Sequence, residues 1–259
     1  MLDKQLRQFR VTVRTRIPAI IDFIDSNFLT QRDREKFEIT PKICMFCGSD
    51  SDVTNEHIIP RWAFEKDAKK FFNISLNGHA RTYERSTIPA CRICNNERLN
   101  ALERYIQDLF EHVNPKKDPY GPYECENIIR WLEIIDYKFH VMNAIHRFLA
   151  PVNGPHIPLL KDIPLIKLLE FREDLPFNAK VRIRKTLMRT TVKSKAKHLN
   201  SLLIFTTTNK GFHFFHKLDD FIFIELPRFG VAMFYFYSKM FKSTKDAQEE
   251  AMKIIDDAY

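Results

Sequence analysis

The chain has 259 residues and a formal net charge of +8, and its hydrophobic and charged fractions are ordinary for one large or two small globular domains. It contains no run of about 18 apolar residues, and its charged N-terminal stretch lacks the apolar core of a secretory signal. We therefore expect a cytoplasmic protein with no membrane span.

The N-terminal stretch has the character of a helix followed by a connector. Residues 3–29 are predicted to be largely helical, and Pro18 is expected to break or kink that helix. The polar stretch 31–42 carries Thr40-Pro41 near its end, which is typical of a connector.

Two Cys-x-x-Cys pairs follow, Cys44/Cys47 and Cys91/Cys94. Each pair puts two thiolates on one tight turn, and two such pairs give the closed four-sulfur shell of a structural zinc site. The pairs are 43 residues apart, so the zinc site would carry whatever lies between them. In a reducing compartment a disulfide or redox role is the lesser alternative, and the lone Cys125 is typical of a small buried side chain.

A candidate catalytic set lies in and just after the gap between these pairs. Glu56 and His57 open the string Glu-His-Ile-Ile-Pro, and Asn95 follows Cys94 directly. Phosphodiester hydrolysis needs a base to activate water, which suits histidine, and a hard cation, which prefers carboxylate and amide oxygens. Adjacent residues on a strand point to opposite faces, so Glu56 and His57 need a bend if they are to share one site.

The string C-x-x-C … E-H-I-I-P … C-x-x-C-N resembles the HNH, or ββα-metal, endonuclease family, and is similar to its zinc-bearing members, phage endonuclease VII among them. The resemblance covers about residues 43–105. It implies a ββα finger with His57 as general base, Glu56 and Asn95 as ligands of a catalytic Mg²⁺ or Mn²⁺, and a structural zinc on the four cysteines. The chain departs from the family in having Glu56 where aspartate is commoner, and in the 37 residues that separate His57 from Asn95.

After the second pair, Asn95 or Asn96 is expected to cap a helix with one apolar face. The proline-rich stretch 115–122 then marks a boundary. We predict three parts: an N-terminal helical segment (1–42), a zinc-bearing nuclease domain (43–114) and a C-terminal α+β domain (123–259).

The C-terminal part combines helices with a sheet. The sequence predicts an amphipathic helix over about 128–149, helical pieces over 157–197, four short strands in an antiparallel meander, and a last helix at roughly 243–257. His213 and His216 are three apart on one strand and are not expected to share a metal. The fold class is therefore α+β: a zinc-stabilised ββα-metal finger flanked by helices, with a C-terminal helical plus antiparallel-sheet domain.

Positive charge is concentrated in the C-terminal part. Between Leu175 and Leu218 there are ten Lys or Arg residues and no Asp or Glu, while the rest of the chain is nearly neutral. Such a block suggests a polyanionic partner, and a solvated helix face is the alternative. The candidate contacts to a nucleic-acid backbone are Arg61, Lys180, Arg182, Arg184, Lys185, Arg189, Lys193 and Lys195.

Together these features predict a metal-dependent HNH endonuclease that hydrolyses nucleic acid, with DNA favoured over RNA. Small HNH proteins with an extra domain resemble effectors of bacterial antiviral defence. One alternative is a non-catalytic zinc-stabilised module that binds nucleic acid or recruits a partner. Another is a subunit whose nuclease acts only with a protein partner in a larger complex.

Overall fold

The computed structural model describes residues 2–29, 42–73, 80–113, 119–148, 179–193 and 197–258. The predicted connector lies outside these residues apart from Lys42, and so do the predicted helical pieces before residue 179. The helices are α1 (Leu2–Ile24), α2 (Arg61–Phe64), α3 (Asn100–His112), α4 (Pro122–Phe148), α5 (179–190) and α6 (Thr244–Ala258). The strands are β1 (Val53–His57), β2 (Phe71–Asn73), β3 (Ala80–Thr82), β4 (Thr87–Cys91), β5 (Leu202–Thr206), β6 (His213–Lys217), β7 (Phe221–Leu226) and β8 (Val231–Phe236). The protein is thus α+β, as predicted.

Helix α1 buries one apolar face, formed by Leu6, Phe9, Val13, Ile17 and Ile20 at helical spacing. The expected break at Pro18 is absent, and the helix runs on to Ile24 before a π-helical turn, Asp25–Leu29. Pro18 lies on the exposed side of α1, so water can reach the carbonyl that loses its partner there.

Strands β1 and β4 pair antiparallel in a continuous register from Val53 opposite Cys91 to His57 opposite Thr87. The chain then passes from β4 into a π-helical turn, Ile93–Leu99, and on into α3. The prediction that Asn95 or Asn96 caps this helix is wrong, because the helical conformation already includes Arg92 and no side chain caps the turn. The small hairpin of β2 and β3 lies between β1 and β4 in the chain.

Helix α4 is the central element of the fold. It is buried on every side from Asn127 to Met142, which corrects the prediction of an amphipathic helix. The side chains of Glu133, Asp136 and Lys138 are buried on it, and each is paired with an opposite charge from another element. A buried charge without a partner would cost several kcal/mol, so these pairs allow charged residues in the core.

The C-terminal sheet has the strand order β5-β8-β7-β6. Strands β6 to β8 form the predicted meander, but β5 pairs with β8 on the far side of it, so that part of the prediction is wrong. Local sequence patterns predict each of the four strands well, but they do not determine which edge of the sheet β5 joins. That depends on the path of the loop between β5 and β6. One face of the sheet packs on α6 through Ala247 and Ala251.

The larger of two hydrophobic clusters among the described residues takes in parts of all three predicted segments, from Leu6 on α1 to Tyr237 after β8. Helix α4 joins them, since the Tyr137 hydroxyl donates a hydrogen bond to the carbonyl of Met45 beside the first cysteine pair. Among the described helices, none is long and apolar enough to cross a membrane.

Candidate active site and metal centre

The four paired cysteines come together as predicted. The sulfurs of Cys44, Cys47, Cys91 and Cys94 all lie within 4.8 Å of one another, and all four are free thiols. Tetrahedral zinc with Zn–S bonds of about 2.3 Å needs sulfurs about 3.8 Å apart. The separation of 3.5 Å between the Cys47 and Cys91 sulfurs is close to that value, so the cluster can hold a zinc ion.

Local backbone geometry places the first pair. Gly48 adopts a positive φ of 72°, and its N–H donates to the Cys44 carbonyl at 2.8 Å, which closes the turn. The Phe46 N–H points at the Cys44 sulfur at 3.4 Å. Such N–H groups stabilise thiolates, as a zinc ligand set requires.

The second pair spans the end of β4 and the helical turn after it. The Cys94 N–H lies 3.5 Å from the Cys91 sulfur, and Arg98 Nη1 lies 3.5 Å from the Cys94 sulfur. Hydrogen bonds with Cys44 and Cys94 hold the pKa of the Cys47 thiol well below its usual value. Cys47 is therefore the member that most favours a thiolate, and Arg98 places a cation beside the cluster.

Strand β1 carries both Glu56 and His57, and the pairing with β4 is regular at both positions. The structure therefore has no bend between them, and their side chains meet different elements. The Glu56 carboxylate is buried towards α3 and α4, while the His57 ring packs on Phe64 of α2 at a centroid distance of 6.2 Å.

His57 is half-buried at the end of β1. The backbone of Glu84 acts against the effect of burial on the pKa of this ring. Burial lowers the pKa of His57 below its ordinary value, so the ring is neutral at neutral pH and can accept a proton.

Glu56 is only 6% exposed and forms an ion pair with the Lys138 ammonium. The same ammonium contacts the His57 carbonyl at 2.9 Å and Glu103 Oε1 at 3.4 Å. Burial raises the pKa of Glu103 to about 7. The predicted ligand Glu56 thus already has a cationic neighbour.

Asn95 lies half-buried in the helical turn after Cys94, and its Nδ2 donates to Thr54 Oγ1 at 3.1 Å. Thr54 and Glu56 are two residues apart on β1, so they lie on the same side of the strand with a spacing of about 7 Å. The structure therefore brings Asn95 to the side of β1 from which Glu56 projects.

The predicted nucleic-acid contacts divide into exposed and paired residues. Contrary to the prediction, Arg189 is an ion-pair partner inside the protein, with Nη2 2.6 Å from Asp136 and 3.2 Å from Asp219. Lys180 is partly exposed and lies 2.5 Å from Asp25, and Lys195 lies outside the described residues. The exposed members are Arg61, Arg182, Arg184, Lys185 and Lys193.

A second group of ligand-type side chains is formed by Asp136, His140 and Asp219. Arg189 contacts the same carboxylate oxygens that would face an ion, so a cation already lies in this group. His213 pairs with Glu225 at 2.5 Å, whereas His216 stacks on Phe139 at 4.1 Å. The two histidines therefore do not meet at one metal.

Sequence reasoning did not find Lys138, Glu103 or Arg98. Arg98 lies four residues after Cys94, a helical spacing that could have shown it. Lys138 is 82 residues from Glu56 in the chain and meets it only through tertiary packing, so no local pattern contains it.

No family model, curated protein or solved structure matches the chain in comparisons with known proteins. The resemblance to HNH endonucleases is therefore carried by its own residues alone: the cysteine pairs, Glu56, His57 and Asn95.

Proposed function

We propose that the protein is a metal-dependent endonuclease that hydrolyses phosphodiester bonds of nucleic acid, with DNA favoured over RNA as substrate. The observation that supports this most is the placement of three side chains around β1, beside a four-cysteine cluster. Glu56 and Asn95 lie towards one side of the strand, and the imidazole of His57 lies towards the other.

The divergence of Glu56 and His57 restricts where the phosphate can lie. In an in-line displacement the attacking water and the departing oxygen lie on opposite sides of phosphorus. A base for the water and ligands for an ion at the departing oxygen must therefore flank the phosphate from two sides. Because Glu56 and His57 project from opposite faces of β1, a phosphate can meet both only at the end of the strand, where His57 is the last residue.

In this proposal His57 takes a proton from the attacking water, and its ring packs on Phe64. The Glu56 carboxylate and the Asn95 amide oxygen would hold a Mg²⁺ or Mn²⁺ ion, which when bound neutralises charge on the phosphate and the departing 3′ oxygen. The products are then 5′-phosphate and 3′-hydroxyl ends. The cysteine cluster holds zinc for structure only.

The basic surface would bind the phosphate backbone without reading bases. It consists of Arg182, Arg184 and Lys185 on α5 together with Lys193, all exposed, and Arg61 lies directly after the Glu-His-Ile-Ile-Pro string. The proposal also includes a role for this nuclease as an effector of bacterial antiviral defence, which rests on the resemblance to small HNH proteins with an extra domain.

One observation favours a second candidate, a zinc-stabilised module that binds nucleic acid or recruits a partner without cleaving. Glu56 is buried and already paired with Lys138, so its charge is satisfied without a divalent ion. In that case the cysteine cluster and the basic surface keep their roles and His57 is dispensable.

Incubation with supercoiled plasmid, single-stranded circular DNA and RNA separates the two candidates. The protein is dialysed free of loosely bound ions, its zinc content is measured, and Mg²⁺ or Mn²⁺ is added. Nicking that needs the added ion at constant zinc content, with 5′-phosphate ends, supports the nuclease. Binding without cleavage of any substrate in either ion supports the second candidate instead.

A further inference from the structure

The buried ammonium of Lys138 lies at the junction of α4, α3 and the end of β1. Its side chain has no solvent exposure. Nζ contacts Glu56 Oε1, the His57 carbonyl at 2.9 Å and Glu103 Oε1 at 3.4 Å. An ammonium has three donors, and these three oxygens match them.

These three oxygens would attract a divalent ion if the ammonium were absent. Two carboxylates and a carbonyl are hard oxygen ligands of the kind that Mg²⁺ and Mn²⁺ prefer. Together they offer more negative charge than Glu56 with the neutral amide of Asn95. Without Lys138, an ion would therefore be drawn between Glu56 and Glu103, away from Asn95.

We propose that Lys138 is a positioning residue that occupies the cation position between Glu56 and Glu103, and so confines the catalytic ion to the Asn95 side of Glu56. The part of this inference that concerns catalysis rests on the proposed nuclease function. Through the His57 carbonyl, the same ammonium also fixes the end of β1 from which the imidazole projects.

The test is the variant Lys138→Met, which removes the charge and keeps most of the side-chain volume. Mn²⁺ affinity is measured by electron paramagnetic resonance, and plasmid nicking is measured in the same samples at constant zinc content. Removing a like charge about 4 Å away should tighten Mn²⁺ binding by at least about tenfold. Nicking should fall by about 100-fold because the ion then sits in the wrong place.

Tighter Mn²⁺ binding together with slower nicking distinguishes a positioning role from a merely structural one. Loss of a structural role would lower both the Mn²⁺ affinity and the nicking rate. In Lys138→Met/Glu103→Gln the second carboxylate charge is gone, and Mn²⁺ affinity should return to the wild-type value. Unchanged or weaker Mn²⁺ binding by folded Lys138→Met, or nicking at the wild-type rate, would overturn the inference.

Two variants that retain Lys138 test the same claim if Lys138→Met does not fold. Asn95→Ala should weaken Mn²⁺ binding by about tenfold or more, whereas Glu103→Gln, which removes a nearby charge but no ligand of the ion, should weaken it clearly less. Equal losses in both variants, or no loss in Asn95→Ala, would place the ion elsewhere and overturn the inference.

Failure of the nuclease proposal is recognised separately. A wild-type protein that cleaves nothing contradicts the proposed function, while tighter Mn²⁺ binding by Lys138→Met still supports the position assigned to the ammonium. A wild-type protein that cleaves, with Lys138→Met cleaving equally well, contradicts only the inference.

Discussion

Arg98 is a single side chain whose contact with the cysteine cluster has a measurable consequence. Four thiolates around one zinc ion carry two net negative charges, and Arg98 Nη1 lies 3.5 Å from the Cys94 sulfur. We expect Arg98→Ala to weaken zinc affinity about tenfold, as is typical when a residue that bonds a metal ligand is removed. Competition with a chromogenic chelator measures this. The matched control is Arg92→Ala, an exposed neighbour, and equal zinc affinities in both variants would contradict the assignment.

His216 gives a prediction about pH. Burial against Phe139 lowers the pKa of its ring to about 3 in the folded protein. Because an unfolded histidine titrates near pH 6.5, the unfolded state binds a proton first as the pH falls. The contribution of neutral His216 is therefore complete above about pH 6.5 and is lost progressively as the pH drops towards 3.

The variant His216→Phe should show a shallower loss of stability between pH 6.5 and 4 than the wild type. Urea unfolding at several pH values measures this slope. Phe cannot gain a proton, so parallel stability curves for the two proteins would show that this ring does not contribute to the acid sensitivity.

At the scale of elements, the charges on α4 hold the helical core to the segment after α5. Lys197 and Glu133 are each 2% exposed at the side chain and pair with each other. We expect Lys197→Met to cost about 3–5 kcal/mol, because it leaves the Glu133 charge buried without a partner. The double variant Lys197→Met/Glu133→Gln should recover much of that loss. Thermal or urea unfolding checks both, and a double variant no more stable than the single one would argue against this ion pair.

The elements themselves show what a sequence can predict. The apolar residues of α1 and α3 recur at helical spacing, and β5 to β8 are bounded by clear turn signals, so these elements follow from local patterns. The position of β5 beside β8 does not, since strand pairing is chosen by long-range packing. The prediction that α4 is amphipathic was wrong for a similar reason. Its polar residues suggest a solvated face, but they pair with charges from other elements.

At the scale of the whole molecule, positive charge on α5 should determine affinity for nucleic acid. Replacing Arg182, Arg184 and Lys185 with Gln should weaken binding and lower the slope of log affinity against log salt by about 1 for each phosphate that the variant no longer neutralises. Fluorescence anisotropy over a salt series measures both quantities.

The matched control removes three exposed lysines from in and around α6, namely Lys242, Lys245 and Lys253. It changes the net charge equally, so it separates a specific surface from overall charge. Equal losses of affinity in the two triple variants would contradict the assignment of α5 as the binding surface.

The candidate site was predictable from the sequence to the extent that it is local. The cysteine spacing predicts the cluster, and the structure brings all four sulfurs together. The neighbours of Glu56 were not predictable, because Lys138 and Glu103 reach it from two helices that only the fold places there. The ion pairs of Arg189 were not predictable either, because its partners, Asp136 and Asp219, are distant in the chain.

The most direct test of the central claim compares plasmid nicking by the wild type and by His57→Ala in Mg²⁺ or Mn²⁺, at equal zinc content and equal thermal stability. His112→Ala, on the exposed part of α3, is the matched control. Loss of the general base should lower the nicking rate by about 100-fold or more in His57→Ala, with no change in His112→Ala. Nicking by His57→Ala at the wild-type rate would contradict the account, since the imidazole at the end of β1 would then have no part in the reaction.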